Sequence, residues 1–401
     1  MGAKETVGLV LAGGGARGAY EVGALSVLLP ELDRRGQRPR ILVGTSVGAL
    51  NAAFLAAHAD ETVEDLIPKA LSIWEQVEWG EVARGLISGP SWWRVIQYVR
   101  QVLGLRGARL TSLLDARPLH ATLRGWVDFA HIAENVTSGR LHAAGVVATS
   151  ARTGRSVVFH HSAAAAPPAD ARRGIDYVAT PLLEEHVLAS SAIPVAFPAV
   201  CVRDPGGARG WYWDGGTRLN TPIKPALALD AGRVVVIALS PLTLPAPTPP
   251  AGPERPDALE GVGQIMSGLF GDQVVADMQT LATINRALID GAASTDACRV
   301  PYIAVAPPRR DTIARLAVEV AQAGGVSIGR HPDIGLLARL VGGGGDVGHA
   351  ELLSFLLFTP EFSRALIEQG RQDARSWMQT GHDLDDLWQE RPLPAVPQPA
   401  G

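Results

Sequence analysis

Ser46 stands at the centre of a G-x-S-x-G motif that begins at Gly44 and ends at Gly48. An apolar run precedes the motif and an Ala-rich segment follows it, so the pattern predicts a strand, a tight turn and a helix. Glycines at both flanks have no Cβ atoms to collide where the backbone reverses, and the Ser46 hydroxyl can project from the turn. The following helix directs N–H groups and its positive dipole end toward the serine. This arrangement is typical of a nucleophile for acyl transfer.

The motif also occurs a second time, at residues 325–329. The chain contains 44 glycines, so chance matches are expected. Ser327 follows a predicted helix instead of a strand, and Pro332 interrupts any helix after it. We therefore interpret Ser327 as a loop residue and Ser46 as the candidate nucleophile.

A glycine-rich turn follows the first predicted strand, residues 7–12, and opens the first predicted helix, residues 19–29. Backbone N–H groups in such a turn can approach a carbonyl oxygen closely and stabilise its developing negative charge. The guanidinium of Arg17 in this turn suits a phosphate or a carboxylate. We predict an oxyanion hole formed by Gly13, Gly14, Gly15, Ala16, Arg17 and Gly18.

The same turn has the G-x-G-x-x-G spacing of dinucleotide-binding folds. Those folds need an acidic residue at the end of the second strand to bind the ribose. Here that strand ends in Gly44, Thr45 and Ser46, and Asp33 lies before the strand begins. Nucleotide binding is therefore disfavoured.

Asp214 directly follows a predicted strand, residues 211–213, and precedes Gly215 and Gly216. Burial among the bulky rings of that strand would raise the proton affinity of the carboxylate and make it a better base. The two glycines allow a sharp turn, although a D-G turn is also common without any function. We predict that Asp214 is the base for Ser46.

A Ser-Asp-His triad of the α/β-hydrolase type is the main alternative mechanism. It would need His331, His349 or His382, none of which follows a predicted strand. The pair His160 and His161 lacks a third ligand for a metal. No metal and no cofactor are expected.

Alternating strands and helices predict a three-layer α/β/α fold with a central, mainly parallel sheet. Further strands are predicted at residues 141–149, 155–160, 233–239 and 301–306, the last of which would rejoin the main sheet. Residues 259–290, 312–323 and 350–378 have helical patterns. We divide the chain into a catalytic domain, residues 7–228, and a largely helical C-terminal extension, residues 229–401, with a Pro-rich linker near residues 241–256.

Composition limits the possible partners and compartments. The net charge of −4 provides no basic footprint for nucleic acid. Only Cys201 and Cys298 are present, which fits a reducing compartment. No signal peptide and no transmembrane segment is predicted. We expect a cytoplasmic protein, with peripheral attachment to membranes left open.

Aromatic residues cluster in a segment that does not fit the predicted sheet: Trp74, Trp79, Trp92, Trp93 and Tyr98. They could pack beneath a helical cap, or they could anchor a cap in lipid. Whether Trp79, Trp92 and Trp93 contact lipid stays open at this point.

The three motifs together resemble the patatin-like phospholipase family. Its pattern is G-G-G-x-R-G, then G-x-S-x-G, then D-G-[GA] more than a hundred residues later. All three occur here in that order, and the segment 189–198, Asn220 and Pro222 match as well. The resemblance covers about residues 7–228.

The resemblance implies a Ser46/Asp214 dyad without histidine, an acyl-enzyme intermediate and an oxyanion hole that includes Gly14 and Gly15. It also implies the patatin-like form of the three-layer fold, no metal, and lipid ester substrates at a membrane or micelle surface. Phospholipase A, lysophospholipase and carboxylic ester hydrolase activities all fall within this class. Two alternatives remain, an α/β-hydrolase-type esterase and a non-catalytic lipid-binding or regulatory protein on the same fold.

Overall fold

One mixed sheet forms the centre of the protein in the computed structural model, which describes residues 5–83, 112, 114–242, 258–289, 298–323, 347–380 and 387–390. Apolar, β-branched runs produce most of its strands, as expected for strands buried on both faces. The strands are β1 (Val7–Leu11), β2 (Ile41–Thr45), β3 (Ala143–Ser150), β4 (Ser156–Ser162), β5 (Ile175–Ala179), β6 (Val200–Val202), β7 (Gly210–Asp214), β8 (Arg233–Ile237) and β9 (Tyr302–Val305).

Helices cover the sheet, and a short 3-10 turn (Gly15–Arg17) precedes the first of them. The helices are α1 (Gly18–Arg34), α2 (Val47–Ala57), α3 (Val63–Gln76), α4 (Trp79–Val82), α5 (Arg117–Trp126), α6 (Phe129–Thr137), α7 (Glu184–Ser190), α8 (Ile223–Ala228), α9 (Ala258–Ile289), α10 (Thr312–Gln322), α11 (Val347–Leu356) and α12 (Pro360–Gln379).

The strand order is β5-β4-β3-β2-β1-β8-β9, with β7 paired to β3 and β6 to β7. The run from β3 through β2, β1 and β8 to β9 is parallel throughout. β4 and β7 are antiparallel to β3. The sheet is therefore mainly parallel at its centre, as predicted, and the loops after β1 and β2 emerge at the same edge.

Two hydrophobic cores lie on opposite faces of the sheet, because successive strand residues point to opposite sides. Leu9, Leu11 and Leu42 belong to the larger core. Val10 and Val43, their neighbours in sequence, belong to the smaller core with helices α8 and α9. This is the three-layer α/β/α arrangement.

The C-terminal helix α12 packs along α1 through two glycines. A Cβ on Gly23 would collide with the Ile367 backbone, and a Cβ on Gly370 would collide with the backbone of Tyr20. The Tyr20 hydroxyl donates a hydrogen bond to Asp373 at 2.7 Å. Residues near the two ends of the chain therefore form one closely packed helix pair.

Two expectations about the C-terminal region can be compared with the structure. The predicted strand at 301–306 does rejoin the sheet, where β9 pairs with β8. The single helix predicted at 350–378 is wrong, because α11 ends at Leu356 and α12 begins at Pro360. Proline lacks an N–H and disfavours a helical conformation at the preceding residue, and Thr359 caps the new helix.

Most of the Pro-rich linker near 241–256 lies outside the described residues. The division of the chain at residue 228 stays a prediction.

Candidate active site

Ser46 occupies the sharp turn between β2 and α2, with backbone angles φ 53° and ψ −122°. Positive φ is strained for a residue other than glycine, and such strain is typical of a nucleophile on this kind of turn. Gly44 and Gly48 make the turn possible, because a Cβ on Gly44 would collide with the Gly48 carbonyl and one on Gly48 with the Leu11 carbonyl. The side chain of Ser46 therefore stands at the N-terminus of an 11-residue helix.

Two serines at the C-terminal end of α7 hold the turn at Ser46 in place. The backbone N–H of Ser46 donates to Ser190 Oγ at 2.9 Å, and Ser190 Oγ donates in turn to the Val147 carbonyl at 2.6 Å. Ser191 Oγ lies 3.3 Å from the Ser46 carbonyl oxygen, to which it donates. Sequence reasoning assigned these serines only to a family-like segment, without a contact to Ser46.

The glycine-rich turn lies directly against Ser46. A Cβ on Gly13 would lie 3.0 Å from Ser46 Cβ. Asn220 fixes the turn, since the Gly13 N–H donates to Asn220 Oδ1 at 3.0 Å and Asn220 Nδ2 donates to the Gly13 carbonyl at 3.2 Å. Within the described part of the chain, the N–H groups of Gly14 and Gly15 donate to no acceptor. Both N–H groups are thus available to an oxyanion.

Gly15 needs to be glycine for two reasons. Its φ is +59°, and a Cβ there would collide with the backbone carbonyl of Phe355 in α11. Two further members of the predicted oxyanion turn, Ala16 and Gly18, are buried, and a Cβ on Gly18 would collide with Val47 and Trp74. The turn is therefore closely packed between α2, α3 and α11.

Arg17 is buried and already has a carboxylate partner within the chain. Its guanidinium makes an ion pair with Glu351 at 2.8 Å and donates to Ser354 Oγ from Nε at 3.0 Å. It also lies 3.8 Å from the centre of the Phe355 ring, in cation–π contact. Arg17 thus joins the glycine-rich turn to α11. The sequence suggested a phosphate or a carboxylate for this guanidinium and did not identify Glu351.

Asp214 ends β7 and is completely buried. Its backbone N–H donates to the Ala192 carbonyl at 2.8 Å, and its Oδ1 accepts from the Gly216 N–H at 2.7 Å. Gly215 lets the backbone pass close to β2 and β3, because a Cβ there would lie 3.1 Å from Thr45 Cγ2 and would collide with the Val147 carbonyl. The strand end and its two glycines therefore bring the carboxylate to the nucleophile turn.

Burial raises the pKa of Asp214 from 3.8 to about 7, while the neighbouring Ser46 side chain and the Gly216 N–H act in the opposite direction. Oδ2 is buried and has no hydrogen-bond partner among the described residues. The Ser46 hydroxyl is therefore near enough to affect the carboxylate but does not form a well-aligned hydrogen bond with it. In free enzymes, contacts between nucleophile and base are often longer than they become with substrate.

A narrow cavity of about 40 Å³ opens beside Ser46. Its described walls are almost entirely apolar, and they come from α2, α3, α4, α5, the segment after α7 and the segment around the end of α11. The lining includes Gly15, Ser46, Trp74, Trp126, Phe355 and Phe358. Gly15 and Ser46 thus face one apolar pocket that could hold an acyl chain.

Of the three histidines in the triad alternative, the structure describes His349. His349 is buried in α11 and is not among the lining residues. His331 and His382 lie outside the described residues, as do Ser327, Trp92, Trp93 and Tyr98. Trp74 and Trp79 are buried, at 3% and 6% exposure, so these two tryptophans pack inside the protein.

A buried polar chain beneath the glycine-rich turn was not anticipated from the sequence. Trp74 Nε1 donates to Asn51 Oδ1 at 2.9 Å, and Asn51 Nδ2 donates to Glu21 Oε2 at 2.7 Å. Complete burial raises the pKa of Glu21 well above its ordinary value. Nothing in the sequence around Glu21 indicated a buried acid.

Two further properties apply to the described residues only. They contain no group of three histidine, cysteine, aspartate or glutamate side chains placed to bind a metal ion. None of their helices combines the length and the apolar character needed to cross a membrane.

A comparison with sequence profiles identifies the family of this chain. The sequence profile of the family described as "Patatin-like phospholipase" matches residues 9–227. A search of curated proteins found no match. The crystal structure of VipD from Legionella pneumophila aligns with 75% of this chain and 61% of that one, at 15% identity and a TM-score of 0.31. This chain therefore spans about three fifths of the length of VipD. Because the profile covers more than half of the 401 residues, the chain belongs to the patatin-like phospholipase family, a family of lipid acyl hydrolases.

Proposed function

We propose that this protein is a serine acyl hydrolase that cleaves ester bonds of phospholipids or related lipids, with Ser46 as nucleophile and Asp214 as base. The observation that carries the proposal is the convergence of three distant segments at one edge of the sheet. Gly13 lies against Ser46, and Asp214 is close enough for the Ser46 side chain to lower its pKa.

In the first step, Asp214 Oδ2 accepts the proton of the Ser46 hydroxyl as Oγ attacks the ester carbonyl carbon. A carboxylate in water is too weak a base for this task, but burial raises the pKa of Asp214 to about 7. Its free Oδ2 has no competing hydrogen bond among the described residues. The carboxylate is therefore matched to proton transfer near neutral pH.

The attack places a negative charge on the former carbonyl oxygen. The N–H groups of Gly14 and Gly15 are suited to stabilise this oxyanion, because neither has another acceptor in the described structure. Loss of one such donor typically costs about 3 kcal/mol of transition-state stabilisation. The dipole of α2, which begins directly after Ser46, acts in the same direction.

Collapse of the tetrahedral intermediate breaks the ester C–O bond, and the leaving alcohol takes the proton from Asp214. The acyl group is then bound to Ser46 Oγ. Water attacks this acyl-enzyme, gives its proton to Asp214 and releases the fatty acid, after which the proton returns to Ser46. The cycle needs no metal and no histidine.

The apolar pocket beside Ser46 supports an acyl ester as the substrate, since its walls offer almost no polar groups to a charged or sugar-like ligand. Lipid esters of this kind are presented at a membrane or micelle surface. The family also supports a lipid substrate.

Release of fatty acid from phospholipid vesicles and of p-nitrophenol from p-nitrophenyl butyrate would test the proposal. We expect Ser46→Ala and Asp214→Asn each to lower kcat by 10³-fold or more, as loss of a nucleophile or its base does elsewhere. Ser327→Ala, which alters the other G-x-S-x-G serine, is the matched control and should keep wild-type turnover. Full activity in Ser46→Ala would refute the proposal. Loss of activity only in His331→Ala or His382→Ala would replace the dyad with a triad.

A further inference from the structure

Trp126, the last residue of α5, separates two cavities. It lines the narrow pocket beside Ser46, of about 40 Å³, and it also lines a wider surface cavity of about 570 Å³ between α2, α3 and α5. Among the described residues, it is the one that both linings share. The indole therefore forms the wall between the site of the nucleophile and the wider cavity.

The small volume of the inner pocket restricts what can enter it. A single water-sized group needs roughly 10–15 Å³ of such space. The pocket thus has room for about three such groups, comparable to the first few carbons of an acyl chain. A longer chain needs an exit from the pocket.

Trp126 is the simplest place for that exit. The indole is only partly buried, and its contact with Trp74, at 6.4 Å between ring centres, is a tilted aromatic pair on one side. The pocket also borders a third cavity of about 580 Å³, but three of the described residues line both of these spaces. They are Leu119, Ser191 and Phe197. Of the described side chains, one indole separates the inner pocket from the cavity of about 570 Å³, whereas three separate it from the cavity of about 580 Å³.

We propose that Trp126 ends the acyl pocket and limits the length of the acyl chain that the enzyme accepts. This inference rests on the acyl hydrolase function proposed above and narrows its substrates to those lipid esters that carry a short acyl chain. Without the indole, the chain continues from the Ser46 pocket into the wider cavity and lies against Phe54 and Ile73, which line it.

The test is the ratio of kcat/KM for p-nitrophenyl octanoate to that for p-nitrophenyl butyrate. Each CH₂ group that enters an apolar wall on binding is worth at most about fourfold in kcat/KM. The two esters differ by four such groups, and the wider cavity is partly open to water. We therefore expect Trp126→Ala to raise the octanoate-to-butyrate ratio by about tenfold or more.

Ile73→Ala is the matched control, because Ile73 lines the wider cavity but not the inner pocket. It should leave the ratio at the wild-type value. Trp126→Leu, measured in parallel, keeps the site apolar and should shift the ratio in the same direction by less. This second variant keeps the test decisive if Trp126→Ala does not fold.

An unchanged ratio in a folded, active Trp126 variant would overturn the inference while leaving the proposed hydrolase intact. A wild-type preference for octanoate over butyrate would overturn it as well. Absence of Ser46-dependent turnover of both esters by the wild-type protein would instead overturn the proposed function, and this inference with it.

Discussion

The ion pair between Arg17 and Glu351 gives the most direct test of how the glycine-rich turn is held. It joins residues 334 positions apart in sequence, and the two side chains are only 3% and 6% exposed. Arg17→Met keeps a long apolar side chain in place of the guanidinium. It removes the ion pair, the contact with Ser354 and the cation–π contact with Phe355 together.

The magnitude follows from burial. Removing one partner of a buried ion pair leaves the other charge uncompensated, which typically costs about 3–5 kcal/mol. We therefore expect Arg17→Met to lower the free energy of unfolding by about that amount, a large part of the usual 5–15 kcal/mol. Glu351→Gln in the same background removes the stranded charge and should restore part of the loss. The two substitutions should thus be strongly non-additive.

Urea unfolding followed by tryptophan fluorescence measures the effect. Arg34→Met is the matched control, because Arg34 makes an ion pair with Glu31 at 2.7 Å but is 69% exposed. Surface pairs of this kind contribute about 0–1 kcal/mol. A cost below about 1 kcal/mol for Arg17→Met, or simple additivity with Glu351→Gln, would refute this reasoning.

Three further predictions concern the candidate site. In the proposed mechanism Asp214 must be ionised to act as a base, and its pKa is about 7. We therefore expect kcat/KM for a soluble ester to fall about tenfold per pH unit below pH 7 and to level off above it. A flat profile from pH 5 to 8 would contradict this expectation. The raised pKa also means that the native state binds a proton between pH 4 and 7 that the unfolded state releases, so wild-type stability should fall as pH rises through that window. Asp214→Asn should not show this fall, and above pH 7 its free energy of unfolding in urea should exceed that of the wild type by roughly 4 kcal/mol. Equal pH dependence of the two proteins would count against a buried carboxylate. Gly48→Ala should lower the melting temperature and the esterase activity, because its Cβ would collide with the Leu11 carbonyl at a cost of about 1–3 kcal/mol of stability. Gly125→Ala is the control and should be neutral or stabilising, because its Cβ would meet open space. Identical behaviour of the two variants would argue against the steric explanation.

Motifs whose function depends on local geometry could be predicted from the sequence. The turn at Ser46 follows from glycines on both sides of a serine after a buried strand, and the helix after it begins at the expected residue, Val47. The position of Asp214 at a strand end was predictable for the same reason. Parallel strands then bring such loops to one edge of the sheet.

Contacts between distant segments could not be predicted in this way. Nothing near Arg17 in sequence identifies Glu351 as its partner, because that contact depends on where α11 packs. The pocket beside Ser46 is likewise completed by Phe355 and Phe358 from the C-terminal region. Their apolar character predicts burial, but not burial beside Ser46.

The surroundings of the aromatic residues could not be predicted from the sequence either. From the sequence alone, Trp74 and Trp79 could either pack beneath a helical cap or contact lipid. Both indoles are buried, and Trp74 donates a hydrogen bond to Asn51. These two tryptophans therefore pack inside the protein. Trp126 was not singled out at all, because its role depends on the two cavities that meet at its ring.

Mass spectrometry of the protein after reaction with a fluorophosphonate ester tests the central claim most directly. The account predicts one covalent adduct, on the peptide that contains Ser46, absent in Ser46→Ala and formed far more slowly in Asp214→Asn. Ser327→Ala should be labelled at the wild-type rate. An adduct on any other serine, or unchanged labelling in Asp214→Asn, would contradict a Ser46 nucleophile activated by Asp214.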